Sequence, residues 1–337
     1  MSPREGVPLA PFTTFHIGGN ARVFIEATNE EEVRTAFGEA KRRALPVYPL
    51  GAGSNVLVGD EGVEGVVLKV GVRDSTLTDD GGDTLLVAGA GLLWDEVVDR
   101  VAAQGIFGIE NLAGIPGTVG GAAVQNIGAY GTEFSNVFEY ADTIESATGD
   151  RARITRADAA FGYRTSFFKT HRTHVITRVA LRLAKTAKPN LAYADLARAQ
   201  REGVPLTTPE EIARAIRAIR AGKFPHTAEE GSAGSFFKNP VIPREHAAAL
   251  AARYPGLPVF PQEDGSAKVS LAWLLDHALS LKGFSLGPVR LYEKQPLVIV
   301  AGEGARAQDV DALAREVEAR VLRATGIAIE REVETFG

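Results

Sequence analysis

The sequence has no cysteine among its 337 residues, which excludes disulfide bonds, thiolate zinc sites and cysteine nucleophiles. It also has no run of about eighteen apolar residues, the length that a membrane-spanning helix needs. The first residues, MSPREG, lack the apolar stretch of a signal peptide. We therefore expect a cytoplasmic protein without membrane insertion.

An excess of positive charge is absent as well. There are 37 Lys and Arg against 42 Asp and Glu, and the net charge of −5 does not predict nucleic-acid binding. The six histidines are scattered, and only His171 and His174 lie close together in sequence, so no metal site is predicted. The hydrophobic content of 45% is typical of globular proteins, and the length favours two or three domains.

Glycine is concentrated in two segments. The second glycine segment, Gly114 to Gly131, has six glycines in eighteen uncharged positions. Each glycine inside a helix or strand costs about 0.5–1 kcal/mol relative to alanine, so this segment predicts a backbone that turns sharply or approaches another molecule. The first glycine loop, GAGSN at 51–55, follows a strand-like stretch. Amides in such loops bind anions, and we predict that the two segments hold a large phosphate-containing ligand.

Hydrophobic periodicity predicts an α+β chain, and the first glycine loop is not a Rossmann fingerprint, because its third glycine and following helix are missing. The clearest helix begins at a capping box, Thr208-Pro209-Glu210-Glu211. Further helices are predicted from residue 30 to 45, around Trp94, and at 243–253, 270–280 and 307–325. Strands are predicted at 47–50, 56–58, 65–70, 84–88, 138–147, 174–184, 296–300 and 327–333.

Four polar residues are candidates for chemistry, and the residues alone leave a structural interpretation of each open. Ser235 could donate a proton or form an ST-turn before two aromatic residues. Arg164 could hold a carboxylate through two hydrogen bonds or stack on its aromatic neighbours. Lys223 could bind phosphate or cap a helix. Glu330 shares one strand face with Glu332, and that face could border a cleft or form a solvated edge.

In order along nearly the whole chain, these segments resemble the bacterial UDP-N-acetylenolpyruvoylglucosamine reductases, flavoenzymes that complete UDP-N-acetylmuramate for peptidoglycan. Any one motif is weak, but the ordered set is highly specific. It consists of Thr14-Phe15 with Gly18, GAGSN at 51–55, ENLAGIPG at 110–117, QNIGAYG at 125–131, FGYR at 161–164, GSFFKNP at 234–240 and EREV at 330–333.

The resemblance implies a two-subdomain FAD-binding fold of the vanillyl-alcohol-oxidase type and a C-terminal α+β substrate-binding domain. We place the FAD-binding subdomains at residues 1–70 and 71–224, with the C-terminal strand 326–337 joining the second. The substrate-binding domain is then 225–325. FAD would be held without a covalent bond by Gly51, Ala52, Gly53, Ser54, Asn55, Val56, Ile115, Pro116, Gly117, Gly121, Ala122, Gln125, Asn126, Gly128 and Ala129.

The resemblance also implies a mechanism, in which NADPH reduces FAD and a hydride then passes from flavin N5 to C3 of the enolpyruvyl group. Arg164 and Glu330 would stabilise the enolate, and Ser235 would protonate C2. Substrate contacts would come from Tyr130, Tyr163, Tyr193, Lys223, Asn239 and Gln295. We expect a monomer whose partners are NADPH and UDP-N-acetylglucosamine enolpyruvate.

Tyr193 resembles the substrate-capping tyrosine of the longer of the family's two types. The chain departs from the family pattern in two places: it carries extra residues between Tyr193 and Lys223, and it has Arg331 where proline is common. Two other functions stay open at this stage. One is a different flavin-dependent oxidoreductase of the same fold, and the other is a non-catalytic flavin-binding protein.

The first testable prediction is that the purified protein is yellow and that its FAD is not covalently attached, because the chain has no cysteine to tether a flavin. Acid precipitation should release the flavin into the supernatant, where its absorbance can be measured. A flavin that stays with the pellet, or a colourless protein that cannot be reconstituted with FAD, would contradict this prediction.

Overall fold

The computed structural model describes residues 2–186, 189–227 and 230–337. The backbone forms two units, each with its own hydrophobic core. Unit 1 comprises Met1–Val7, Asn20–Gly53 and Val63–Ala221, and unit 2 comprises Pro8–Gly19, Ser54–Gly62 and Gly222–Gly337. The first glycine loop is therefore divided between the units after Gly53.

The helices are α1 (Glu30–Arg43), α2 (Trp94–Ala102), α3 (Val119–Gln125), α4 (Phe167–Thr170), α5 (Ala194–Arg201), α6 (Pro209–Ala221), α7 (Arg244–Arg253), α8 (Leu271–Trp273) and α9 (Ala307–Thr325). Short 3-10 turns lie at Ala10–Phe12, Glu110–Leu112 and Phe134–Asn136, and a π-helical turn at Leu274–Ala278 follows α8.

The strands of unit 1 are β1 (Arg4–Pro8), β2 (Asn20–Ala27), β3 (Val47–Leu50), β5 (Val63–Val70), β6 (Ser75–Asp80), β7 (Asp83–Gly89), β8 (Gly128–Ala129), β9 (Thr132–Glu133), β10 (Phe138–Glu145), β11 (Arg151–Thr155) and β12 (His174–Ala184). Pro8, the last residue of β1, belongs to unit 2. Those of unit 2 are β4 (Val56–Val58), β13 (Val241–Pro243), β14 (Val259–Pro261), β15 (Ser266–Val269), β16 (Ser285–Leu286), β17 (Val289–Leu291), β18 (Ile299–Ala301) and β19 (Glu334–Phe336).

Unit 1 contains two larger sheets and the two-stranded antiparallel pair β8-β9. One has the order β1-β2-β5-β3, in which β5 runs parallel to both β2 and β3. The other is antiparallel with the order β11-β10-β12-β7-β6. Helix α1 begins at Asn29, whose side chain accepts a hydrogen bond from the Glu32 amide at 3.0 Å, and it buries Val33 and Phe37. Trp94 of α2 is fully buried and donates from its indole Nε1 to the Leu112 carbonyl at 3.0 Å.

Unit 2 gathers three separated parts of the chain around α9. The Asp60 carboxylate accepts hydrogen bonds from the amides of Ala307 and Gln308, at 2.9 and 3.0 Å, and so caps the start of α9. The final strand β19 lies parallel to β4. We had expected the segment 326–337 to join residues 71–224, and the pairing that the structure shows is instead with β4 inside unit 2.

Most predicted elements are present, and two differ. The capping box of α6 is confirmed, since the Thr208 hydroxyl accepts from the Glu211 amide at 3.2 Å and the Glu211 carboxylate accepts from the Thr208 amide at 3.1 Å. The helix predicted at 270–280 is three α-helical residues followed by the π-helical turn. The predicted strand 327–333 is extended and alternates in burial, but its partner segment is irregular, so regular strand structure begins only at Glu334.

Arg331 ties this terminal segment to α9. Its guanidinium donates to Glu318 at 2.6 Å and to Asp311 at 2.7 Å, and it lies 5.8 Å from the ring centre of Phe236. The Arg331 side chain is only 26% exposed, so these bonds are partly shielded from water. Arginine, which stands here where proline is common in the family, thus has two carboxylate partners.

We predict that Arg331→Ala lowers the free energy of unfolding by about 1–3 kcal/mol, because it leaves two half-buried carboxylates close together without their shared cation. Arg315→Ala is the matched control: Arg315 also pairs with Asp311, at 2.6 Å, but its side chain is 74% exposed. Removing it should cost about 0–1 kcal/mol. Urea unfolding followed by circular dichroism compares the two, and equal losses would show that the Arg331 network has no special role.

Candidate active site

The first glycine loop packs closely against the start of α3. A Cβ atom on Gly51 would lie 2.7 Å from the Thr118 hydroxyl oxygen, so only glycine fits there without movement. On another side, the Lys69 ammonium donates to the Gly51 carbonyl, and burial lowers the pKa of Lys69. The loop thus has a fixed backbone and a partly buried cation beside it.

The second glycine segment is joined to the rest of unit 1 by backbone hydrogen bonds. The Gly117 carbonyl accepts from the Trp94 amide at 3.0 Å, and the Gly120 amide donates to the Ala90 carbonyl at 2.9 Å. A Cβ on Gly120 would lie 3.0 Å from the Cβ of Ala90. Close approach between main chains, which the glycine content predicted, is therefore present here inside the protein itself.

The end of α3 is held by polar side chains. Asn126 has a left-handed backbone, with φ of 42°, and its side chain bonds to Glu133, to the Gly162 carbonyl and to the Ser135 amide. The Gln125 side-chain oxygen accepts from Lys169, but its buried Nε2 has no hydrogen-bond partner among the described residues. A buried amide N–H without a partner costs free energy, so Gln125 has a donor available for a ligand.

Arg164 has a strained backbone, with φ of 54°, which is uncommon outside glycine. Its guanidinium donates to the Gly128 carbonyl at 2.8 Å and lies 5.3 Å from the ring centre of Tyr163. Unit 1 therefore joins the FGYR motif to the second glycine segment. The structural interpretation, an arginine near its aromatic neighbour, and the proposed carboxylate contact are compatible with this geometry.

Gly114, the first residue of the second glycine segment, forms hydrogen bonds with side chains of two helices. Its amide donates to Asp95 of α2 at 2.6 Å, and its carbonyl accepts from Arg220 of α6 at 2.9 Å. Arg217 completes the arrangement by donating to both Asp95 oxygens, at 2.9 and 2.8 Å. The sequence did not predict this set of residues, which we call the Gly114 clamp. The one hint in the sequence is that Arg217 and Arg220 lie three residues apart on α6.

Tyr130 lies at the other end of the segment and is 6% exposed. Burial raises the pKa of Tyr130 to about 12, although the nearby Arg220 cation opposes the shift. Its ring meets the Tyr193 ring edge to face, with 5.1 Å between centroids. Two of the tyrosines predicted to contact substrate are therefore neighbours within unit 1.

In unit 2, Ser235 and Glu330 lie on neighbouring extended segments. The Lys238 amide donates to the Glu330 carbonyl at 2.9 Å, and the Glu332 amide donates to the Phe236 carbonyl at 2.8 Å. The Lys238 ammonium also donates to the Glu330 carboxylate at 2.8 Å. The residues that follow Ser235 therefore pair with the segment that carries Glu330, although Ser235 and Glu330 are 95 positions apart in the sequence. Ser235 itself pairs with Val298.

The remaining predicted residues of unit 2 have mixed environments. Asn239 accepts from the Leu271 amide at 2.9 Å, which gives it a structural role at the start of α8. Gln295 carries a buried Oε1 with no partner in the described part of the chain, and Lys223 follows the end of α6. Asn55, which lies between Ser54 and Val56 in the sequence, donates from its side-chain amide to the Glu332 carbonyl at 3.2 Å.

Residues 2–186, 189–227 and 230–337 contain neither a cluster of metal-binding side chains nor a membrane-spanning helix. No three or more acidic or histidine side chains there are grouped as a metal site would require. No helix in those ranges is both long enough and apolar enough to cross a bilayer.

Comparison with known proteins gives the chain its family. Residues 21–155 match the profile described as "FAD binding domain", and residues 226–336 match "UDP-N-acetylenolpyruvoylglucosamine reductase, C-terminal domain". The enzyme of that name from Pseudomonas putida is 38% identical over 336 residues, which covers 99% of this chain and 98% of the relative. The one from Escherichia coli strain K12 is 38% identical over 331 residues, covering 98% and 95%.

This chain belongs to the UDP-N-acetylenolpyruvoylglucosamine reductase family. The crystal structure of the reductase from Thermus caldophilus superposes with a TM-score of 0.68 at 28% identity and covers 100% of both chains. These findings confirm the resemblance stated from the motifs and the predicted fold class, an FAD-binding fold followed by a C-terminal α+β domain. They also confirm FAD as the cofactor.

The residues of unit 1 fit FAD on structural grounds. Gln125 offers a buried, unpartnered amide donor. The close packing of Gly51 on Thr118 and of Gly120 on Ala90 fixes the backbone of both glycine segments. Lys69 supplies a partly buried positive charge beside the first glycine loop. A ligand with a diphosphate and a polar ring suits such a set of amides and one cation.

We predict that Gly114→Ala weakens FAD binding because it disturbs the Gly114 clamp. Gly114 has φ of 71°, and a Cβ there would lie 3.2 Å from Cδ of Arg220 and 3.3 Å from Cγ of Arg217. Gly105→Ala is the matched control, since Gly105 has φ of 70° with open space around its would-be Cβ. Both changes carry a backbone strain of about 1–2 kcal/mol, so only the first should also raise the FAD dissociation constant.

Flavin fluorescence titration of the apoprotein measures that constant, and thermal unfolding reports the strain shared by both variants. If Gly105→Ala weakened FAD binding as much as Gly114→Ala, general destabilisation would explain the result and the clamp would have no part in cofactor binding.

Proposed function

We propose that this protein reduces UDP-N-acetylglucosamine enolpyruvate to UDP-N-acetylmuramate with FAD as cofactor and NADPH as reductant, a step of peptidoglycan precursor synthesis. The observation that carries the proposal is the full-length relation to named reductases, together with Ser235, Arg164 and Glu330 at the matching motifs. The proposal includes a monomer that works in the cytoplasm.

In this proposal FAD is held by the first glycine loop, by Val56 after it, and by the second glycine segment, with Gln125 and Asn126 among its contacts. The bound flavin supplies the hydride that is added to C3 of the enolpyruvyl group. The protein supplies orientation, exclusion of water and electrostatic stabilisation. The fixed backbone at Gly51 and Gly120 supports this role, because a rigid set of amides needs little reorganisation when the ligand binds.

Arg164 and Glu330 would act on the substrate carboxylate, where negative charge grows as the hydride adds to C3. A guanidinium held in place beforehand stabilises that charge more in the transition state than in the ground state. The strained backbone of Arg164 and its bond to Gly128 support such preorganisation. Lys238, which bonds to Glu330, would offset the negative charge of that carboxylate.

Ser235 would deliver the proton to C2 and so complete the addition of hydrogen across the double bond. A serine hydroxyl is a weak acid, but an enolate is a strong base and can take its proton. Among the described residues its hydroxyl makes no hydrogen bond, and its main chain pairs with Val298. Tyr130, Tyr163, Tyr193, Lys223, Asn239 and Gln295 would hold the nucleotide part of the substrate.

The test separates the two half-reactions at Ser235. Hydride transfer from NADPH to FAD needs no proton donor at the substrate, so Ser235→Ala should reduce its flavin at a nearly normal rate. Reoxidation by the enolpyruvyl substrate should fall by about 10⁴-fold or more, at or above the upper end of general acid catalysis. Stopped-flow absorbance at the flavin band follows both steps.

Ser235→Cys should recover part of the lost rate, because a thiol can also deliver a proton. Ser266→Ala is the control: Ser266 is a serine of the same unit that bonds to Asp264 in a turn, and its loss should leave both steps unchanged. If Ser235→Ala slowed flavin reduction and left reoxidation intact, the proton-donor role would be wrong.

A further inference from the structure

Asn111 is a buried residue to which neither the motifs nor the comparisons assign a role. It lies in the 3-10 turn Glu110–Leu112 and is 1% exposed. Its side-chain amide Nδ2 donates to two carbonyls from distant parts of unit 1, that of Tyr130 at 2.9 Å and that of Asn190 at 2.9 Å. One side chain therefore joins the end of the second glycine segment to the stretch that leads to Tyr193.

The side-chain amide of Asn190 joins the same two stretches a second time. Asn190 donates from its own side chain to the Gly131 carbonyl at 2.9 Å. The same two stretches meet again where the rings of Tyr130 and Tyr193 touch. Three contacts thus join them, and the two Asn111 bonds are shielded from water, which makes them hard to replace by hydration.

We propose that Asn111 is a positioning residue for Tyr193. It holds the backbone at Asn190 against the Tyr130–Gly131 turn and so anchors the start of the stretch that carries Tyr193 to the substrate. This inference rests on the proposed function for the role of Tyr193 as a substrate contact, but the physical link between Asn111 and Tyr193 is independent of it.

The side-chain chemistry at this position is restrictive. Asparagine provides two N–H donors on one nitrogen, and both are used, one for each carbonyl. The Oδ1 atom of Asn111 is buried and has no partner within the described residues, so the donors alone account for the bonds of this side chain. Alanine would leave the buried Tyr130 carbonyl and the partly buried Asn190 carbonyl without these donors, and aspartate would place negative charge against them.

The first experiment is a double-mutant cycle that uses the intact, FAD-loaded protein. Titration with UDP-N-acetylglucosamine enolpyruvate, without NADPH, is followed by the change in flavin absorbance. We expect Asn111→Ala to raise the substrate dissociation constant about tenfold, because the stretch that carries Tyr193 loses its anchor. In a Tyr193→Ala background the same change should raise it less than about twofold, because the residue that Asn111 positions is gone.

An equal effect of Asn111→Ala in both backgrounds would overturn the proposal, since Asn111 would then act independently of Tyr193. A merely structural role would lower the unfolding temperature and would not make the binding effect depend on Tyr193. Asn190→Ala gives a milder variant in case Asn111→Ala does not fold: Asn190 is exposed, and its loss should shift binding in the same direction.

The second experiment needs no substrate and so separates this inference from the proposed function. Hydrogen exchange of the ligand-free protein, read by mass spectrometry, should be faster by about fivefold or more in residues 190–197 of Asn111→Ala and Asn190→Ala. Asn136→Ala is the matched control, because the Asn136 side chain caps an exposed turn at Glu133 and does not contact this stretch. Unchanged exchange would overturn the proposal. Faster exchange in a protein without reductase activity would contradict only the proposed function.

Discussion

Close approach between main chains is the constraint on which the cofactor region of unit 1 depends. The first glycine loop lies against Thr118, and α3 lies against Ala90, at distances that leave no room for a Cβ atom on Gly51 or Gly120. The Gly120 amide also donates to the Ala90 carbonyl, which fixes the spacing of those two backbones. A side chain at Gly51 or Gly120 would force these close neighbours apart and shift the backbone of both glycine segments.

Polar side chains hold the glycine-rich backbone in place. Asp95 and Arg220 hold the two polar atoms of Gly114, Asn126 fixes the end of α3, and Asn111 holds the turn at Tyr130. Each of these side chains bonds to backbone atoms of the second glycine segment or of its neighbours. A segment this rich in glycine is flexible in an unfolded chain, so its rigidity in the folded protein must come from such bonds.

Unit 2 achieves its geometry differently. Ser235 and Glu330 lie on two extended segments that pair only partly, and Arg331 fastens one of them to α9 through Glu318 and Asp311. The alternation of the terminal segment leaves Glu330 exposed while Ile329 and Arg331 face inward. In this unit, the segment that carries Glu330 is therefore held in position by the next residue, Arg331, through its bonds to α9.

The sequence by itself determined the family, the fold class, most of the helices and fewer than half of the strands that the described residues form. Glycine spacing, capping residues and hydrophobic periodicity are local properties, and the motifs follow each other in a fixed order. Only the tertiary structure decided that Asp95, Arg220 and Asn111 grip the second glycine segment, that β19 pairs with β4, and that Arg331 bonds to α9. These contacts join residues far apart in the chain, and their partners are mostly backbone atoms. Because every residue carries the same backbone atoms, no local pattern of side chains could have revealed which of them would meet.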